Sequence, residues 1–282
     1  MIYVYPKLSK YDLGIVRLGG AGLGNLLFTY GRALVYAKEN GYQLIWPTWA
    51  SVKIGPYIRN EKDKRFYGNL FQNRTGCVGG LKKIWLLCTH KKIAEELAGN
   101  VKDGQIVIFE KYVGTIEPFR QESDLIRTNL LNNMRDRDFL HSKLLDQPHI
   151  AAHIRLGDFQ RATESELASG KENCSTPVSW YAKMIKKLRA EHNDEKLVLV
   201  YSDGTDEELQ EVLELPNVQR VFWGNALKDM VAMSKADLLL ASGSTFSLWA
   251  RFLGRLDAIA YPGQLREKIA LDGENIMERE CL

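Results

Sequence analysis

Between residues 149 and 261 the sequence alternates short apolar runs with segments of helical periodicity, and that alternation leaves few folds open. The run that starts at His149 reads as a buried strand ending in the polar turn His153-Ile154-Arg155-Leu156-Gly157-Asp158-Phe159. An amphipathic helix is expected over 180–192 and a strand over 196–201. The capping box Thr205-Asp206-Glu207-Glu208 then opens a helix that reaches Leu213. Strands follow at 218–222, 236–241 and 258–261, with helices at 226–234 and 246–253 between them. Strands joined by helices pair in parallel, and both faces of a parallel sheet must be covered. This half is therefore expected to be a doubly wound domain of the nucleotide-binding type.

The opening has the same grammar on a smaller scale. A strand at 14–18 runs into the glycine-rich loop 19–25, a helix over 26–40 is stopped by Gly41, and a strand follows at 43–46. Residues 47–104 carry no clear pattern, although 82–87 and 91–97 read as amphipathic helix. Their basic and aromatic character suits a membrane surface, but packing by the apolar face is the expected use. A strand is expected at 105–109 and helical sequence from Ile116 to about Leu145. The change of character at Asp146-Gln147-Pro148 sets a domain boundary, giving an α/β chain with domains at 1–146 and 147–282.

Composition excludes several classes. Of 282 residues, 45% are hydrophobic and 26% charged, which does not indicate disorder. A net charge of +3, with both signs interspersed, offers no arm for nucleic acid. No apolar run is long enough to span a bilayer and 1–7 lacks a signal pattern, so a soluble cytoplasmic chain is expected. Cys77, Cys88, Cys174 and Cys281 lack metal-ligand spacing and fit a reducing compartment; a secreted fragment would instead allow Cys77 and Cys88 to bridge.

The candidate chemistry lies at strand ends. His153 and Arg155 share one face of their strand, where Arg155 can pair with a phosphate and Gly157 admits close backbone approach. Asp158 is a candidate base, and a plain ion pair is the structural alternative. In the first loop Gly20 and Gly22 would need a third glycine where Asn25 stands, so a dinucleotide site is disfavoured and an anion site or a simple turn remains. His149 and His153 lie ~13 Å apart on a strand, too far to share a metal. Asp136-Arg137-Asp138 is expected on a solvated helical face, and no metal is predicted. Ser242-Gly243-Ser244-Thr245-Phe246-Ser247 joins a strand to a helix and suits a phosphate or an ordinary N-cap. Asp203 suits a ribose or purine, or a turn.

In this order the motifs resemble the α-1,2-fucosyltransferase family, within the wider group that shares a His-x-Arg strand end. Gly22-Leu23-Gly24-Asn25-Leu26-Leu27-Phe28-Thr29-Tyr30 is similar to GLGNQMFQY, His153 to Phe159 to HVRRGDY, Tyr201-Ser202-Asp203 to FSD, and Ser244-Thr245-Phe246-Ser247-Leu248-Trp249 to SSFSWW. The resemblance spans roughly 14–254 and is weak over 47–145. It implies a GT-B type fold of two Rossmann-like domains facing a cleft: an acceptor-side domain carrying the glycine loop, and a nucleotide-sugar domain whose tail can pack back on the first. The implied reaction is inverting, metal-independent transfer of fucose from GDP-fucose, with no other cofactor. The implied acceptor is a sugar hydroxyl of a glycan or surface-polysaccharide precursor, in α-1,2 linkage, with peripheral association at the inner membrane face left open. By motif, Arg155, Asp158 and Asn25 are the catalytic candidates. Gly22, Gly24, Asn25, His153, Arg155, Asp203, Ser244, Thr245 and Phe246 are the donor-binding ones. Leu156, Leu26 and Leu248 depart from the pattern, which keeps another GDP-sugar, or a non-catalytic binding protein of the same fold, as alternatives.

Overall fold

The computed structural model describes residues 1–53, 55–58, 65–267 and 275–280, so Cys281 lies outside the described residues. Two compact units divide at 137/138, ahead of the 146/147 boundary read from composition. Residues 138–146 belong with the second unit because Phe139 packs against Trp223 and under the Lys228 ammonium there.

The first unit is built on a four-stranded parallel sheet of β1 (Tyr3–Pro6), β2 (Gln43–Leu44), β3 (Lys91–Ala94) and β4 (Gln105–Phe109), in the spatial order β2-β1-β4-β3. Its central strand is the fully buried tetrapeptide Tyr3-Val4-Tyr5-Pro6, not the run 14–18. Gly14, at φ +82°, and the turn bond from Leu13 N–H to the Val16 carbonyl interrupt that run. Only Arg17–Leu18 is extended, in a small sheet with Tyr11–Asp12 and Ser51–Val52. Helix α1 (Leu23–Glu39) packs on β1, and the chain reverses at Gly41 with φ +66°.

Helix α2 (Gly80–Thr89) covers 82–87 as expected, but it buries Lys83 and Leu86 while Leu81 and Trp85 face outward. The second amphipathic segment is not a helix. Lys91–Ala94 is the edge strand β3, and two exposed lysines on an edge oppose pairing with another chain. Beyond β4, helix α3 (Ser123–Asn133) is the only long helix of 116–145, so Asp136 and Arg137 lie in irregular chain.

The second unit carries a six-stranded parallel sheet: β5 (His149–Ile154), β6 (Leu197–Ser202), β7 (Val218–Arg220), β8 (Leu238–Ala241), β9 (Asp257–Ala260) and β10 (Ile276–Glu278). Their spatial order is β7-β6-β5-β8-β9-β10. Counted from β5, this is the doubly wound order 3-2-1-4-5-6, whose direction reverses between β5 and β8. Residues 276–279 are held within this unit, as β10 and by a hydrogen bond from Trp180 Nε1 to the Arg279 carbonyl.

Both faces of the sheet are covered. Ile150, Ala152 and Ile154 of β5, with Val198, Val200 and Leu240, pack against Trp180, Tyr181, Met184 and Ile185 of α4 (Val178–His192). Helix α5 (Ala226–Met233) packs on α6 (Thr245–Gly254), which follows β8 and packs on it. All six residues of β5 are buried, as a central parallel strand requires. The Thr205 box forms both of its bonds with Glu208, although regular helix starts only at Gln210.

Candidate active site

The point where the strand order reverses is where a doubly wound sheet opens a crevice beyond its carboxyl ends. Arg155 leaves β5 at this place, with Ser242 to Ser244 leaving β8 and Asp203 leaving the neighbouring β6. Arg155 Nη2 donates to Asp158 Oδ1 at 2.5 Å, and Nη1 lies 2.6 Å from Asp203 Oδ2. The guanidinium also stands over the Phe159 ring at 5.6 Å. Two of its five N–H groups are thus turned to carboxylates, which orients the fork and leaves three donors for an anion.

Asp203 is held from the other side. Its Oδ1 accepts from the Leu156 N–H at 2.9 Å, and a Cβ at Gly157 would sit 2.4 Å from Oδ2. A side chain at position 157 would therefore push this carboxylate aside, and no unusual φ is involved.

Beside Arg155, His153 is buried against the start of α6 and tilts against Phe246 at 5.3 Å. Its Nδ1 lies 2.7 Å from Ser247 Oγ, 3.0 Å from Ser242 Oγ and 3.4 Å from Ser244 Oγ. Burial first, then the Arg155 charge, push its pKa down to about 3, partly offset by Asp203. The imidazole is neutral, and its Nδ1 shares a hydrogen bond with the serine hydroxyls; the tautomer in which a serine donates carries the ring proton on Nε2. Ser244 caps α6 by accepting from the Ser247 N–H, so one serine cluster both starts the helix and fixes the histidine. Thr245 and Phe246 fill the first turn of that helix.

In the first unit Gly22 is the N-cap residue of α1 without a side-chain cap, and Gly24 and Asn25 lie in the first turn, which contains no acid. Asn25 Oδ1 accepts from the Tyr112 hydroxyl at 3.5 Å. Two cations absent from the sequence reading shape this loop. Buried Arg17 donates from Nη1 to the Gly19 carbonyl at 2.8 Å, and Lys53 Nζ donates to the Ala21 carbonyl at 2.5 Å. In a trans peptide the N–H points opposite to its carbonyl, so the Gly20 and Gly22 N–H groups are directed away from these cations. Gly20 is confined as well, by φ +96° and by Arg17 Nη1, 2.5 Å from where its Cβ would be. Neither cation belongs to a recognisable motif; only the fold brings Lys53 to the loop.

Residues 103–263 match the sequence pattern of glycosyl transferase family 11. This is more than half of the chain and takes in the Arg155, Asp203 and Ser244 motifs. The chain belongs to glycosyl transferase family 11. The family match bears out the resemblance drawn from the ordered motifs, and it makes the chain a glycosyltransferase. No curated protein matches it in sequence.

Among solved structures, this family 11 glycosyltransferase is similar in fold to NodZ. An α-1,6-fucosyltransferase NodZ co-crystallised with GDP aligns with a TM-score of 0.53 and 14% identity over 92% of this chain and 94% of that one. NodZ soaked with GDP-fucose gives the same values. The fucosyltransferase NodZ from Bradyrhizobium gives a TM-score of 0.51 at 14% identity, over 89% and 92% of the two chains. The fold is thus of the GT-B-like type.

The three departures from the resembling pattern have structural places in the family 11 chain. Leu26 and Leu248 are buried in α1 and α6, where they serve packing. Leu156 packs partly buried against the core of the second unit, and its Cδ1 lies 2.5 Å from where a Gly204 Cβ would be. Arg155 is consequently the one arginine of this turn.

Proposed function

We propose that this glycosyltransferase moves fucose from GDP-fucose, with inversion and without a metal, to a sugar hydroxyl in α-1,2 linkage. The observation that carries the reading is Arg155 at the β5/β8 reversal, oriented by Asp158 and Asp203 with three donors unspent. As the glycosidic bond breaks, negative charge grows on the departing diphosphate. A fixed guanidinium stabilises that charge without reorganising, and losing one such donor costs about 3–4 kcal/mol, by analogy with oxyanion holes. The donor is supported by the four motifs and by NodZ, which was soaked with GDP-fucose. The α-1,2 linkage rests on the motifs alone, NodZ being an α-1,6 enzyme.

We assign His153 a neutral Nε2–H donor role beside the diphosphate, and Ser244, Thr245 and Phe246 the adjoining helix start. Asp203 is a positioning residue for Arg155 as well as a candidate nucleoside contact. Asp158 takes the same positioning role in preference to that of base, since a carboxylate bonded to a guanidinium is a weak proton acceptor. To Gly22, Gly24 and Asn25 we assign a share in holding the donor, supported by the uncapped start of α1. The acceptor in this reading is a glycan or surface-polysaccharide precursor, met in the cytoplasm at the inner membrane face. The free thiols Cys77, Cys88 and Cys174 support that compartment, and no described helix is long and apolar enough to cross a membrane.

The test is a screen of nucleotide sugars for thermal stabilisation, followed by GDP release with a panel of glycan acceptors. GDP-fucose is expected to raise the melting temperature more than GDP-mannose or UDP-sugars. Equal stabilisation by UDP-sugars would overturn the donor assignment.

A further inference from the structure

Helix α2 buries Leu86 on its inner face but carries large apolar residues on its outer face as well. It buries Lys83, whose Nζ donates to Thr48 Oγ1 at 2.8 Å, yet leaves Leu81 89% and Trp85 56% exposed one turn apart. A helix packed only for stability would not turn Leu81 and Trp85 to solvent as well. The hairpin turn that precedes Arg17 adds to the same surface. A Cβ on Gly14 would sit 2.8 Å from Ile84 Cδ1, so the turn lies on α2, and its Leu13 and Ile15 are 66% and 74% exposed. Between this turn, α2 and the sheet opens a groove of about 710 Å³ with an aliphatic wall that includes Leu13, Ile84, Leu87 and Ile108.

The charges nearby are one-sided where they are unspent. Lys82 on α2, Lys91 and Lys92 on β3, and Lys10 at the hairpin are exposed and form no ion pair with a described residue. The acids on the far side of the groove are already engaged: Glu95 with Arg32, Glu96 with Lys111 and Glu110 with Lys7. Apolar side chains that stand clear of the fold among uncommitted lysines match an anionic lipid surface, where the chains enter the acyl boundary and the ammonium groups meet phosphates.

We infer that the hairpin turn and α2 form a docking face for an anionic bilayer, which brings the first unit to a membrane-held acceptor. The last clause rests on the proposed function; the docking does not, and it is measured without any sugar nucleotide. The experiment is co-sedimentation of the full chain with phosphatidylcholine vesicles, with and without phosphatidylglycerol. Binding is expected only to the anionic vesicles and is expected to fall with added salt. Lys82→Gln and Lys91→Gln should each weaken it about five-fold, the equivalent of about 1 kcal/mol per lysine at such a surface. Leu81→Ser with Trp85→Ser should weaken it about tenfold or more, and Leu13→Ser with Ile15→Ser provides a second pair on a separate segment. All six substituted side chains are exposed, and melting temperatures should stay near that of the parent. Absence of binding to anionic vesicles, or undiminished binding by both serine pairs, would overturn the inference. So would a dimer in sedimentation velocity that the Leu81→Ser, Trp85→Ser pair dissolves, because a second copy would then be the occupant.

Discussion

Arg155 was readable as an anion-binding candidate from seven residues, but its restraint was not, because Asp203 is 48 positions away and arrives only when β6 pairs with β5. Asp158, three positions on, also bonds Arg155, which is the basis for proposing it as a positioning residue in preference to a base. Asp158→Asn should therefore lower turnover while leaving the shape of the pH-rate profile unchanged; loss of the low-pH limb would restore the base role. His153 supplies a second residue-scale test. Its folded pKa of about 3 lies below the ordinary 6.5, so between these values the unfolded chain binds more protons. Stability must fall as pH drops through that window, by at most about 1.4 kcal/mol per pH unit from this group. Asp229, pushed up to about 6 by burial, opposes this between its ordinary 3.8 and 6, where the folded state holds the extra proton. Urea unfolding from pH 7 to pH 4 should thus show a shallower acid dependence in His153→Gln than in the parent. Equal slopes would show that the imidazole is not held neutral.

At the scale of elements, the serine cluster couples a helix start to the histidine. Ser244→Ala removes the cap of α6, worth about 1 kcal/mol. It should also raise the KM for donor, whereas a cap alone would change only the urea midpoint. This segment was legible because small hydroxyl residues between a strand and an apolar helix are a local pattern. The strands and most helices expected between 180 and 261 were legible to within a few residues for a similar reason, since their periodicity is intact, whereas β10 and the short helix Glu164–Ala168 were not read. The first unit was harder. Lys91–Ala94 has helical spacing of apolar residues, yet β4 provides a parallel edge and the pairing overrides the period. The run 14–18 looks extended, but Gly14 turns it. Arg17 and Lys53 could not be read as loop supports, because their acceptors are backbone carbonyls and leave no side-chain signature.

Across the whole molecule, both units are parallel α/β structures, and the fold class follows from the strand–helix alternation. The order β7-β6-β5-β8-β9-β10 does not follow from it; only the pairing shows that Arg155 stands at a reversal. That placement connects the family match over 103–263 with the proposed role of Arg155, since it puts a restrained guanidinium at the crevice that a doubly wound sheet opens beyond its strand ends. The most direct measurement is GDP released from GDP-fucose with acceptor by the parent and by Arg155→Ala of matching melting temperature. A loss of about 3–4 kcal/mol in transition-state stabilisation, at least two orders of magnitude in rate, is the predicted result. Near-parental turnover by the folded Arg155→Ala protein would contradict the account.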